Sequence, residues 1–545
     1  MPPDEVGQAE RTLHRDLEGN KPDMVAHTSG PTTGTREGHV MRTPMSFTKL
    51  LCAGVLVLPL LVAASSADAA ACSAPVRYAA TSNRVYVTAA SVTLSDIARL
   101  CPSAPLRLVG TGTWLLSADL ILDGGASLRL DGAPGGDVSV LLLASGSSGT
   151  VRDVASITAQ HGTISMNDVQ VRSHDPATGG PDTSTAVPTG GVRGRAFIRA
   201  LSYMDGSVPK ESRMDITRSD LGYLGYNGAE AYGVAYKARG CAATTPTVCD
   251  ILSVRGNQVD STFHHNFMGT YTWGAQDMQF LRNVYSDNVS YGLDPHDDSD
   301  YLVITGNRFS SNGNHGLICS QRCNNLTITD NVSRDNGITP YVGPGDDDPT
   351  DNQVHGIMLH RGVTDSLIAN NLVTGQPTGA GIAIFDSVGN VVRDNTIQNN
   401  KFGLRFSVGA RGALVTGNTV TGSTAYAVHS FKGGDVPTYT GTSGRPSDVT
   451  FTGNTFGSAG VETFRVQDSD RFTFSGGSAG GTSSRGPRFE RGQGHVFDAS
   501  VQIPAQLRFT LRGTSTQPTS MLFRGMQPSQ VTLSADVYST ATFAP

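Results

Sequence analysis

Short apolar or hydroxylic runs of four or five residues, set off by Gly, Asn and Asp, recur from about Ile164 to Phe431. Asparagine stands before such a run at Asn257, Asn283, Asn307, Asn331, Asn371, Asn395, Asn418 and Asn454, so consecutive steps are 26, 24, 24, 40, 24, 23 and 36. Two of these steps are one period of about 24 plus an insertion. A second register keeps pace with the first, because glycine opens the runs at Gly269, Gly292, Gly316, Gly356, Gly381 and Gly403. The runs are rich in Val, Ile, Thr and Phe, and no amphipathic helical stretch of useful length interrupts them. Repetition at this length predicts a solenoid in which each unit buries its apolar face against its neighbours, and an all-strand unit makes it a parallel β-helix. Returning asparagines are expected to stack at one bend, each amide bonding the next.

Alternation along a strand assigns faces. If Leu293 and Pro295 point to the core, Asp294 and His296 point outward to solvent. The corresponding places are Tyr271 and Trp273 one rung earlier, Ile318 and Ser320 one rung later, and Met358 and His360 on the next. With rungs about 4.8 Å apart, the predicted strip carries Trp273, His296, Ser320 and His360, with Tyr291 and Arg322 at its margins.

Other stretches have other textures. Residues 1–40 are polar and aperiodic, and read as unstructured or as an extension upstream of the true start. Residues 41–71 read as a signal peptide: Arg42 and Lys49 are its basic region, Leu50 to Ala64 its apolar core, and cleavage is expected near residues 69–72. That core is too short for a comfortable membrane span. Residues 72–160, with a short helix expected near Leu94 to Leu100, should cap the coil. Regular rungs are expected over 161–432, with Ser173 to Val192 and Ile338 to Asn352 leaving as loops. Residues 433–545 read as worn rungs or a second cap.

Composition adds limits. A net charge of −6 argues against a nucleic-acid partner, and 16% charged residues with 64 glycines suit a turn-rich β protein rather than disorder. Six cysteines remain beyond Cys52, which lies in the signal segment. Sequence order suggests the bridges 72–101, 241–249 and 319–323 in an oxidising compartment. No zinc-like spacing is present, and His264, His265, His315 and His355 read as turn or groove residues. Gly345 to Asp348 offers carboxylates to calcium, but a solvated acidic loop is favoured over it, so no cofactor is expected.

The segment Tyr291-Gly292-Leu293-Asp294-Pro295-His296-Asp297 concentrates the candidate chemistry. Imidazole ionises near neutral pH, a carboxylate beside it holds and tunes the ring, and a guanidinium such as Arg322 offers a planar double donor to a carboxylate. From the residues alone, Asp294 is expected to hold the His296 ring. Together the groups fit removal of a proton next to a carboxylate.

That segment is similar to the signature of the mannuronan C5-epimerases, enzymes with a right-handed β-helix that convert β-D-mannuronate residues of alginate to α-L-guluronate. The resemblance extends through Phe263 to Thr272, His315 to Arg322, Arg84 to Tyr86, Leu94 to Ala98 and Leu221 to Tyr226, and favours the periplasmic, alginate-secretion type. It implies that His296 is the base at C5, that Arg322 neutralises the uronate carboxylate, that Asp294 supports the site, and that Tyr291 or a water returns the proton. Tyr271, Trp273, Asp297, Ser320, His360 and Arg361 are the candidate substrate-binding residues. It also implies an anionic polysaccharide partner, a secreted or periplasmic place and partners in a secretion complex. The pattern departs from the family at Asp298, where the periplasmic enzymes carry Arg, at one extra residue near Gln321, and at the 319–323 cysteine pair. Two other readings stand beside epimerisation: a lyase, in which the same intermediate expels the C4 oxygen, and a polysaccharide-binding β-helix without turnover.

Overall fold

A computed structural model of the protein describes residues 72–145, 154–185, 194–341, 354–441, 443–480, 485–504 and 507–545. The signal segment and the acidic loop Gly345 to Asp348 lie outside the described residues. Over the described residues the fold is a parallel β-helix: three sheets of 18, 16 and 14 strands run its length, and successive rungs pair in register. One rung shows the plan. Leu293–His296 lies in the first sheet, Val303–Thr305 in the second and Arg308–Ser310 in the third. Leu293, Ile304 and Phe309 point inward and are fully buried, and the inward rings of Phe263, Tyr285 and Phe309 stack with centroids 5.0 and 5.2 Å apart.

Parallel pairing reaches beyond 161–432 on both sides, from Arg84–Thr88 against Asp119–Asp123 to Thr519–Arg524 against Ser539–Ala544. Residues 433–545 therefore contribute further rungs. At the start, Val76–Ala79 pairs antiparallel with Arg84–Thr88, and the helix Leu94–Leu100 buries Leu94 and Ile97. Thr93 and Asp96 close a reciprocal capping box at its first turn. Cysteines 72–101, 241–249 and 319–323 are bridged.

Both sequence registers have a physical cause. Each glycine that opens a first-sheet strand lies against backbone one rung on: a Cβ on Gly269 would sit 2.2 Å from the Gly292 carbonyl oxygen, and one on Gly292 2.4 Å from that of Gly316. At the bend between the second and third sheets, the Asn283 amide nitrogen and backbone N–H both donate to Asn307 Oδ1, and Asn307 does the same to Asn331. The ladder continues through Asn371, Asn395, Asn418 and Asn454. Asn257 does not belong to it. Its place is taken by Ser261, whose N–H donates to Asn283 Oδ1, because the rung there is two residues short and Asn257 instead opens a second-sheet strand beside Gln279. A second ladder, Asn266 to Asn288 to Asn312 to Asn336, lies at the bend between the third and first sheets.

Candidate active site

The site is built where first-sheet strands end. The pairings Trp273 with His296, His296 with Ser320, and Ser320 with His360 put the expected file on one outward face. Tyr271 lies opposite Asp294 in the next file. Outward does not mean open: His296, Tyr271, Tyr291 and Ser320 are each 5% exposed and Asp294 is fully buried. The expectation that Asp294 and His296 face solvent is corrected accordingly. An apolar cluster distinct from the coil interior, including Tyr232, Tyr271, Tyr291, Ile318 and Met358, forms on this face. Alternation distinguishes inside from outside and says nothing of what lies over the outside.

The imidazole of His296 stacks on Trp273 with centroids 5.3 Å apart and planes 13° apart, and lies 5.7 Å from the tilted ring of Tyr271. Trp273 is held in turn, its Nε1–H donating to the Cys241 carbonyl at 2.6 Å and its ring carrying Lys237 Nζ 4.1 Å from the centroid. Lys237 pairs with Glu230 at 3.7 Å. The expectation that Asp294 holds the His296 ring is also corrected. Asp297 does so, its Oδ2 lying 2.5 Å from His296 Nδ1. The geometry follows from the backbone, because Asp297 and Asp298 take φ of 26° and 54° in a tight turn, the left-handed region that short polar side chains tolerate best.

The next rung repeats that turn with Gln321 and Arg322, φ 76° and 53°. Because His296 pairs with Ser320, Arg322 falls beside Asp298 without any gap. Its Nε donates to Asp298 Oδ1 at 3.1 Å and its Nη2 to Asp298 Oδ2 at 2.9 Å, and Nη2 also contacts Asp297 Oδ1. Asp298, a departure from the family pattern, is thus half of an ion pair with Arg322. The remaining nitrogen, Nη1, donates to Tyr439 Oη at 2.9 Å and Gln321 Oε1 at 3.3 Å. Arg322 is therefore joined to His296 through Asp297, and each of its three nitrogens is engaged by a protein group.

Burial alone works to lower the His296 pKa, but the Asp297 hydrogen bond and the charges of Asp294 and Asp297 outweigh it and hold it above the ordinary value. Burial raises Asp294 to about 7, against the opposing charge of His296 and some stabilisation by the Ser320 hydroxyl. Among the described residues no well-formed hydrogen bond reaches either Asp294 oxygen. Burial works to raise Asp297 as well, yet His296 and Arg322 together keep it below the usual carboxylate range. The site thus holds one carboxylate kept ionised and one that binds a proton near neutrality.

Tyr291 lies at the corner entering the strand, its ring stacked on His315 at 5.5 Å, with His315 on His355 at 5.3 Å. His360 meets Phe385 edge-on at 6.2 Å and Arg361 lies 4.0 Å from Asp435. Sequence reasoning missed Tyr439, Asp386, Lys237 and Glu230 as members of the site. The one available signal was the 36-residue step from Asn418 to Asn454, which marks an insertion there.

A family profile described as "Periplasmic copper-binding protein (NosD)" matches residues 250–460, less than half of the chain. Among the described residues one grouping of metal-ligating side chains occurs, Cys241, Cys249 and Asp298. Its sulfurs are bridged and its carboxylate pairs with Arg322, so this donor set does not fit copper. A mannuronan C5-epimerase AlgG of Azotobacter vinelandii is 26% identical over 268 residues, 48% of this chain and 46% of that protein. A mannuronan C5-epimerase of Pseudomonas putida is 24% identical over 321 residues, 58% of this chain and 53% of its own. The chain thus spans about half the length of these curated relatives. The crystal structure of the periplasmic alginate epimerase AlgG superposes with a TM-score of 0.56 at 19% identity, covering 70% of this chain and 82% of that one, which establishes the shared β-helix.

Proposed function

We propose, from the premise that this chain belongs to the mannuronan C5-epimerase family, that it inverts C5 of β-D-mannuronate residues within a polyuronate to give α-L-guluronate. The observation that carries the reading is the linked set His296, Asp297 and Arg322 on one outward face, with Asp294 beside it. His296, its Nδ1 proton directed to Asp297, takes the C5 proton on Nε2. The C5–H electron pair moves into the C5–C6 bond and charge develops on the uronate carboxylate. Asp294, protonated over part of the neutral range, then places no second negative charge beside it, and Arg322 contributes its positive field while keeping Asp297 ionised. Proton delivery to the opposite face, from the Tyr291 phenol or a water, completes inversion. Tyr271, Trp273, Ser320, His360 and Arg361 line the path of the polymer. The protein acts outside the cytoplasm, where its disulfides persist.

Polymannuronate incubated with the protein in deuterated water tests this directly. Deuterium at C5 and new guluronate signals by NMR are expected. An unsaturated uronate chromophore would mark β-elimination instead, and unchanged polymer would leave binding without turnover.

A further inference from the structure

The insertion that separates Tyr426–Phe431 from Thr450–Thr452 starts four rungs beyond Ser320 and turns back over the rungs between. Its anchor is Asp386, 1% exposed, whose carboxylate accepts the backbone N–H groups of Thr438, Tyr439 and Thr440 at 2.7, 3.1 and 2.9 Å. The Tyr439 ring then lies on Gly362, where a Cβ would come within 2.8 Å of it. A buried carboxylate and a bare glycine therefore aim one phenol. Its oxygen accepts from Arg322 Nη1 at 2.9 Å and donates to Gln321 Oε1 at 3.2 Å.

We propose that Tyr439 is a positioning residue, its hydroxyl fixing the Arg322 guanidinium against Asp297 and thereby setting how Asp297 holds the His296 ring. The inference rests on the reading of His296 as the base. Asp297 is shared, one oxygen facing His296 and the other Arg322. A guanidinium held close competes for the carboxylate's negative potential, and one that drifts away leaves more of it to the imidazolium. The other groups facing His296 are Asp294 on its own strand, Lys237 two rungs back, and the rings of Tyr271 and Trp273. The Tyr439 hydroxyl bonds Arg322 and Gln321, and of these two Arg322 reaches Asp297, so loss of the phenol acts through Arg322.

Tyr439→Phe keeps the ring on Gly362 and deletes the hydroxyl. In the substrate-free full chain, the His296 imidazole followed by NMR, assigned by its loss in His296→Gln, should titrate about half a pH unit higher, roughly a threefold gain in proton affinity. The acid limb of the C5-exchange profile should move the same way, because the base works unprotonated, with KM for polymannuronate changing less than about twofold. Asp386→Asn, which loosens the anchor, should shift the titration in the same direction by a smaller amount. An unmoved His296 midpoint in Tyr439→Phe overturns the proposal, whatever happens to stability. Failure of the wild-type chain to exchange C5 hydrogen would overturn the functional reading instead, and the NMR titration would still decide the role of Tyr439.

Discussion

Two edges of the same rungs use one backbone geometry for opposite ends. At the bend between the second and third sheets, the same side chain returns rung after rung from Asn283 to Asn454, each amide satisfying the next. Where the first sheet ends, the aligned file reads Trp273, His296, Ser320, His360 and Phe385, with no residue type repeated except histidine. Where a solenoid repeats itself it is solving the packing problem that every rung shares. Where it stops repeating in an otherwise regular column, stacking does not dictate the side chain.

The sharpest way to break this comparison is at the varied edge. His296→Ala should lower C5 deuterium exchange by about a thousandfold, the scale of a lost general base, while thermal unfolding stays near that of the parent. Exchange surviving that change would remove His296 from the mechanism. At the repetitive edge the expected signs reverse. Asn331→Ala removes the acceptor for Asn307 and the donor to Ile304 and Asn371, so stability measured by urea unfolding should fall by about 3 kcal/mol, a few unmet buried groups at 1–3 kcal/mol each. The exchange rate of the folded fraction should be unaltered, and a rate loss matching that of the His296 variant would erase the distinction.

A third prediction concerns the bend between the third and first sheets. His315 Nδ1 accepts the His355 N–H, and burial, partly opposed by that bond, lowers His315 to about 4. The folded ring resists protonation whereas the unfolded one ionises near 6.5. Its contribution is therefore complete above pH 6.5 and is lost as pH falls toward 4. Asp294, raised in the fold, acts in the opposite sense, so the measurement is a difference: His315→Gln should flatten the fall in unfolding free energy between pH 7 and pH 5 by ~2 kcal/mol relative to the parent. Parallel curves for the two proteins would contradict the assigned burial.

What could be read in advance follows from what periodicity encodes. The file through His296 was legible because strand alternation and a 24-residue step together determine which side chains align. Asn257 was misplaced because asparagine also opens strands, and a step of 26 hid a rung two residues short. The Asp297 bond to His296 was not legible, since it depends on a left-handed turn that alternation does not describe. Tyr439 was beyond reach for another reason: it meets Arg322 across 117 residues from within an aperiodic insertion. The cover over Asp294 was equally hidden, because a pattern of faces says nothing about what is laid upon them.

The backward reach of the insertion also separates formation of the reacting set from its adjustment. His296, Asp297 and Arg322 come together as soon as two neighbouring rungs have stacked, yet the phenol that steadies the guanidinium is carried four rungs downstream. A coil stacked through Arg322, with its insertion not yet docked, would have its base in place and its tuning absent.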